Sequence, residues 1–131
     1  MDKKVVLIIG RRGEVRDGIE ALVKAITEVG EVICFEDVSL RSEQITRLKP
    51  DLVIFDSSQM EEDYRRRLRL LRRLLPLTMI LALVEGEVQK RVSRECGADS
   101  VLVKGFRSDL LIRTVRRLVK GRNDKESRFS K

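Results

Sequence analysis

Histidine and tryptophan are absent from this 131-residue sequence, and tyrosine occurs once, cysteine twice and proline twice. Without histidine there is no imidazole to act as a general base near neutral pH and no Ser-His or Cys-His nucleophile pair. Most transition-metal sites also lose their commonest ligand. Few enzyme classes survive that cut. Cys34 and Cys96 show no CxxC or other metal spacing, and both are expected to be reduced and buried. Long apolar runs are missing too. The longest uncharged stretch, 74–84, is about half of what a membrane-spanning helix needs and contains Pro76. The amino terminus reads Met-Asp-Lys-Lys before a short apolar run, which is too short and wrongly ended for a secretory signal. A cytoplasmic location is therefore expected.

Hydrophobic residues make up 42% of the chain and charged residues 37%, a balance that fits neither a disordered nor a membrane protein. The length suits one domain, able to bury roughly two thirds of the surface of its unfolded form. Lys and Arg number 28 against 21 Asp and Glu, a net charge of +7 that favours acidic partners in general. Which partners depends on where the charges lie.

Apolar runs of strand length alternate five times with segments of helical period. The strands are predicted at Lys4 to Ile9, Glu31 to Phe35, Asp51 to Phe55, Met79 to Val84 and Ser100 to Val103. Continuous apolar runs, rather than alternation, are expected of central parallel strands buried on both faces. Between the first two strands Val15, Ile19, Leu22, Val23, Ile26 and Val29 mark one helical stripe ending at Gly30. A short second helix is predicted from Ser39 or Ser42 to Leu48, stopped by Lys49-Pro50. The third runs from Glu61 to Leu75, buries Tyr64, Leu68, Leu71 and Leu75, and stops at Pro76. A fourth, Glu87 to Cys96, offers Val88 and Val92 as its apolar stripe. The last starts near Ser108 and sets Leu111, Val115 and Leu118 on one face before Gly121. Residues 1–121 read as the domain, and the aperiodic 122–131 as a polar tail or the start of a linker.

The expected fold class is α/β: a (βα)5 doubly wound five-stranded parallel sheet. In such sheets the functional crevice lies beyond the carboxyl ends of the strands. There the third strand offers Asp56 and the fifth Lys104. A carboxylate so placed can act as nucleophile on a phosphoryl group, and an amine beside it can bind the phosphate oxygens. Taken alone, an aspartate after a strand more often caps a loop or helix.

The surrounding residues add to that. Lys49-Pro50-Asp51-Leu52-Val53-Ile54-Phe55-Asp56 resembles the third strand and phosphoacceptor of response-regulator receiver domains. Cys96-Gly97-Ala98-Asp99-Ser100-Val101-Leu102-Val103-Lys104 resembles their Gly-Ala-Asp turn, fifth strand and lysine. Val5 to Ile9 with Glu14 to Leu22, and Leu110 to Gly121, are similar to the NarL/LuxR-type subgroup of these CheY-like domains. The resemblance implies a flavodoxin-like, CheY-like fold with strand order 2-1-3-4-5, and two-component signalling with Asp56 at the phosphoacceptor position and Lys104 at a phosphate-binding position.

Several positions depart from the family. Where receivers carry two acidic residues that hold magnesium together with the phosphoacceptor, this chain has Gly10 and Arg11. A hard dication needs oxygen ligands, and a guanidinium supplies none. Magnesium binding is expected to be lost or very weak, and no cofactor is expected. The Thr or Ser position after the fourth strand is Leu83, the switch aromatic position is Val101, and the proline after the lysine is Gly105. Arg11 is expected either to occupy roughly the magnesium position and pair with Asp56 or to point into solvent.

The sequence thus reads as an atypical, pseudo-receiver module acting through protein partners, possession of an enzymatic activity not being expected. The alternative is an active receiver phosphorylated at Asp56 by a sensor histidine kinase. A third class, a flavodoxin-like enzyme or nucleotide binder, lacks support, since there is no GxxxxGK[ST] loop and Gly10-Arg11-Arg12-Gly13 lacks GxGxxG spacing. The third helix carries Arg65, Arg66, Arg67, Arg69, Arg72 and Arg73, read first as a solvated face. With no interleaved aromatics, direct nucleic-acid binding by this domain is not expected, nor is membrane binding. Expected partners are proteins, a sensor kinase or regulator among them. By the resemblance, a weak homodimer would form through the fourth helix, fifth strand and fifth helix; members of the subgroup usually continue past the receiver into a helix-turn-helix DNA-binding domain, for which the polar tail would suit as a linker.

Overall fold

Each of the apolar runs becomes a parallel strand in a computed structural model, which describes residues 3–37, 42–56 and 63–130, with side chains to 121. The elements run β1 (Lys4–Ile9), α1 (Glu14–Lys24), β2 (Val29–Phe35), α2 (Ser42–Leu48) and β3 (Leu52–Asp56). They continue through α3 (Tyr64–Leu74), β4 (Met79–Val84), α4 (Glu87–Glu95), β5 (Ser100–Val103) and α5 (Ser108–Ser130). The sheet order is β2-β1-β3-β4-β5, as expected, with every neighbouring pair parallel.

Alternate residues of each central strand feed opposite cores, which is why the runs are continuously apolar. Val6, Ile8, Leu52, Ile54, Leu81 and Leu83 face the side covered by Ile19 and Val23 of α1 and Leu111, Val115 and Leu118 of α5. Leu7, Ile9, Val53, Phe55 and Ile80 face Ile45 of α2, Leu68 and Leu71 of α3, and Val92 of α4. Burying each such side chain contributes about 1.5–3 kcal/mol, so the two layers together carry the fold.

At the amino-terminal edge of the sheet two buried or half-buried acids hold the strands in register. Val5 N–H donates to Asp51 Oδ2 at 2.8 Å, and Ile80 N–H donates to Asp99 Oδ2 at 2.8 Å. Arg72 of α3 closes this edge. Its guanidinium donates to the carbonyls of Gly97, Leu75, Pro76 and Thr78 and pairs with Asp99.

Several boundaries differ from the sequence reading. α1 ends at Lys24, so Ile26 packs from the following turn and Val29 opens β2. Val15 and Val88, assigned to buried stripes, are 58% and 60% exposed. Both lie in first turns at the carboxyl ends of the strands, where no sheet remains to cover them. The inner face of α4 is instead Gln89, Val92 and Ser93. Gln89 wins its place by hydrogen bonding: its Oε1 accepts from Glu85 N–H at 2.6 Å, satisfying a donor at the helix entrance. The Ser93 hydroxyl donates to Gln89 O and meets the Tyr64 hydroxyl at 2.5 Å. α5 continues past Gly121 to Ser130, where aperiodic polarity had suggested an end to the helix. Of the two cysteines, both free, Cys96 is buried but Cys34 only half-buried on its edge strand. The predicted starts of the second and third helices at Ser39 and Glu61 lie outside the described residues. Among the described residues, no helix is long and apolar enough to cross a membrane.

Candidate functional site

The sheet delivers Asp56 as the last residue of β3, one position further into the strand than the sequence suggested. Its register partner on β4 is Leu83, which is fully buried and directed to the α1/α5 side. Leu83 in turn pairs with Leu102 on β5, and two residues later the chain presents Lys104. Lys104 N–H donates to Val84 O at 2.8 Å, which fixes the backbone from which the ammonium reaches inward.

Lys104 Nζ lies 2.7 Å from Asp56 Oδ1 and 3.2 Å from Glu85 Oε1. The Asp56 side chain is 8% exposed and that of Lys104 21%, so the first pair sits largely out of water. Among the described residues Oδ1 has no hydrogen-bond partner, so its contact with Lys104 is an ion pair. Burial disfavours the Lys104 ammonium, but Asp56 and Glu85 together outweigh it and the pKa is raised above the ordinary lysine value. Lys104 is therefore a fixed cation at neutral pH.

Glu85 directly follows β4, and nothing in its sequence context assigns it a role. The structure makes it the second anion on Lys104, and through its backbone N–H it is tied to Gln89, Ser93 and Tyr64. Tyr64 packs on Phe55, with ring centroids 5.7 Å apart, beside Asp56 in β3. A chain of contacts thus leads from the strand-end carboxylate through α4 and α3 back to β3. Residue spacing gave no signal for it, since it joins four elements.

The β1 end supplies no carboxylate. Gly10 is buried, its N–H donates to Phe35 O at 2.9 Å, and its carbonyl accepts from the Arg16 guanidinium at 3.2 Å. A Cβ placed on Gly10 would lie 3.0 Å from Asp56 Cβ, tighter than most such contacts, so Asp56 would have to give way slightly. Arg11 is exposed, and Lys104 makes the ion pair at Asp56. Val101 is buried in a small cluster with Ala82 and Val84, three residues before Lys104. Among the described residues, no group of three His, Cys, Asp or Glu could hold a metal ion.

No family model matches this sequence, and no curated protein does either. Solved structures do match its fold. One is a CheY-like response regulator receiver domain protein from Methanospirillum hungatei, with a TM-score of 0.79 and 16% identity over 95% of this chain and 99% of that one. Another is the isolated REC domain of RcsB from Salmonella enterica serovar Typhimurium in the presence of phosphomimetic BeF3-, with a TM-score of 0.77 and 20% identity over 92% and 91%. The receiver domain of a sensor histidine kinase from Pseudomonas aeruginosa, with magnesium coordinated in the active site cleft, has a TM-score of 0.75 and 19% identity over 91% and 99%. At these identities the likeness establishes the CheY-like receiver fold.

Proposed function

We propose that this domain is an atypical receiver that signals through protein contacts, without a magnesium-dependent phosphorylation cycle and without an enzymatic activity of its own. The receiver fold supports the signalling role. The observation that carries the rest is the Lys104–Asp56 ion pair at 2.7 Å beside Gly10 and Arg11.

Phosphoryl transfer to a carboxylate brings two anions together, and a divalent ion between them is the usual remedy. Here the residues do not fit that ion. Of the positions that would ligate it, one has no side chain, one is a cation, and Asp56 is already neutralised by an ammonium. Leu83, beside Asp56, has no hydroxyl to donate to a phosphoryl oxygen. Lys104 then serves as a built-in counter-ion that holds the strand ends in one arrangement, rather than as a ligand for incoming phosphate.

Incubation with acetyl phosphate and magnesium followed by intact-mass measurement tests this reading, and an unchanged mass is expected. A gain of one phosphoryl group, lost in Asp56→Asn, would instead establish the alternative of an active phosphoacceptor. The partners proposed are proteins, with a weak homodimer through α4, β5 and α5. Sedimentation at rising concentration should show a reversible dimer weakened by charge reversal at Arg113, and a strict monomer throughout would remove that part.

A further inference from the structure

Beside α3, at the end of α4, lies an open groove of about 490 Å³ lined by Arg65, Arg66, Arg69, Arg72, Arg73 and the thiol of Cys96. Two of these arginines are committed, Arg66 to Asp63 and Arg72 to Asp99 and its ring of carbonyls. Arg65, Arg69 and Arg73 are exposed and have no hydrogen bond or ion pair among the described residues. They recur every fourth residue, one helical turn or about 6 Å apart, so they form a single row.

Like charges at that spacing weaken a helix, and α3 needs none of the three for packing, which Tyr64, Leu68 and Leu71 supply. A face that was merely solvated would interleave acids with the arginines. This row has none. Guanidinium also differs from ammonium in offering a planar, two-pronged fit to carboxylate or phosphate.

We propose that the groove docks an acidic protein segment, which sets carboxylates against Arg65, Arg69 and Arg73 and an apolar side chain between the arginine stems. Two observations favour protein over a nucleic-acid backbone. The groove offers aliphatic stems and the Cys96 sulfur, which a phosphate backbone leaves unused. The row is also short, ending at Asp63 beside its first turn and at Asp99 beside its last, which suits a short segment rather than a backbone running on past either end. The inference rests on the reading that the domain works by protein contacts. It does not depend on the state of Asp56, so phosphorylation of Asp56 would overturn the account of a domain without a phosphorylation cycle and leave the groove standing.

Fluorescence anisotropy on the full chain at low and moderate salt tests the groove. The probes are a labelled helical peptide carrying glutamates and one leucine on a single face, the same peptide with serine for leucine, and a short labelled DNA duplex. The glutamate–leucine peptide should bind, lose about ten-fold in affinity in the Arg65→Gln/Arg69→Gln/Arg73→Gln variant, and bind more weakly with serine. Arg12→Gln, on the far loop, should leave binding unchanged. Thermal melts of each variant establish that it folds. Equal binding by the triple variant, or no binding by the wild type, would overturn the proposal. Tighter binding of the duplex than of the peptide would do the same and transfer the groove to nucleic acid.

Discussion

At the carboxyl ends of the strands Lys104 lies 2.7 Å from Asp56 and 3.2 Å from Glu85, whereas on α3 Arg65, Arg69 and Arg73 stand a turn apart with no carboxylate opposite among the described residues. Both regions gather positive charge on one side of a sheet, yet one has its counter-ions built in and the other does not. A cation that is largely out of water must be paired, because leaving it or its partner alone costs several kcal/mol. An exposed guanidinium has no such requirement and can wait for a partner from elsewhere. The strand-end cluster therefore behaves as structure and the α3 row as surface chemistry.

α3 contains the sharpest contrast, because Arg72 shares the helix with the three uncommitted arginines. Arg72→Ala should cost about 3 kcal/mol in urea unfolding, since it removes charge-assisted bonds to four carbonyls and strands the half-buried Asp99. A loss under about 1 kcal/mol would mean that the clamp is incidental. Lys104→Met should cost about 2 kcal/mol, below the ~3–5 kcal/mol of a fully buried pair because the lysine keeps some contact with water. Adding Asp56→Asn should return most of it, because no unpaired charge is left.

The same pair has a pH signature. Lys104 is raised in the folded state, so its contribution is fully present below the ordinary lysine pKa and is lost as pH rises through the folded value. Wild type should lose stability in that alkaline window faster than Lys104→Met does; parallel curves would remove the ion pair from the account. Gly10→Asp, which reinstates one missing acid, should destabilise by about 1–2 kcal/mol through its approach to Asp56 and should still give no magnesium-dependent change in the melt. The smallest effect belongs to Arg65→Gln/Arg69→Gln/Arg73→Gln, expected to change stability by less than about 0.5 kcal/mol, or to raise it slightly as like-charge pairs disappear.

Much of this contrast could be read from residue order. The strands were legible because a run such as Met79 to Val84 has no polar residue to put on either face. Asp56 and Lys104 were legible because they stand immediately after such runs, where the fold opens its crevice. Arg11 is not settled by residue order, because a loop position does not show which groups its guanidinium reaches. Gln89 and Ser93 were hidden for a different reason: a polar residue goes inside only when distant partners, here Glu85 N–H and the Tyr64 hydroxyl, satisfy it. Val15 and Val88 erred the opposite way, as periodicity cannot show where the sheet beneath a first turn ends. The six arginines of α3 look alike in sequence, and only Gly97, Thr78 and Asp99 arriving from other elements single out Arg72.

The central claim is that Asp56 is neutralised from within and needs no metal. Amide and side-chain NMR of the protein titrated with magnesium and beryllofluoride addresses it directly, using the signals of Gly10, Asp56 and Lys104. The account predicts that these signals stay in place and that no bound fluoride resonance appears. Saturable magnesium-dependent shifts at all three, with a bound fluoride signal that vanishes in Asp56→Asn, would contradict it.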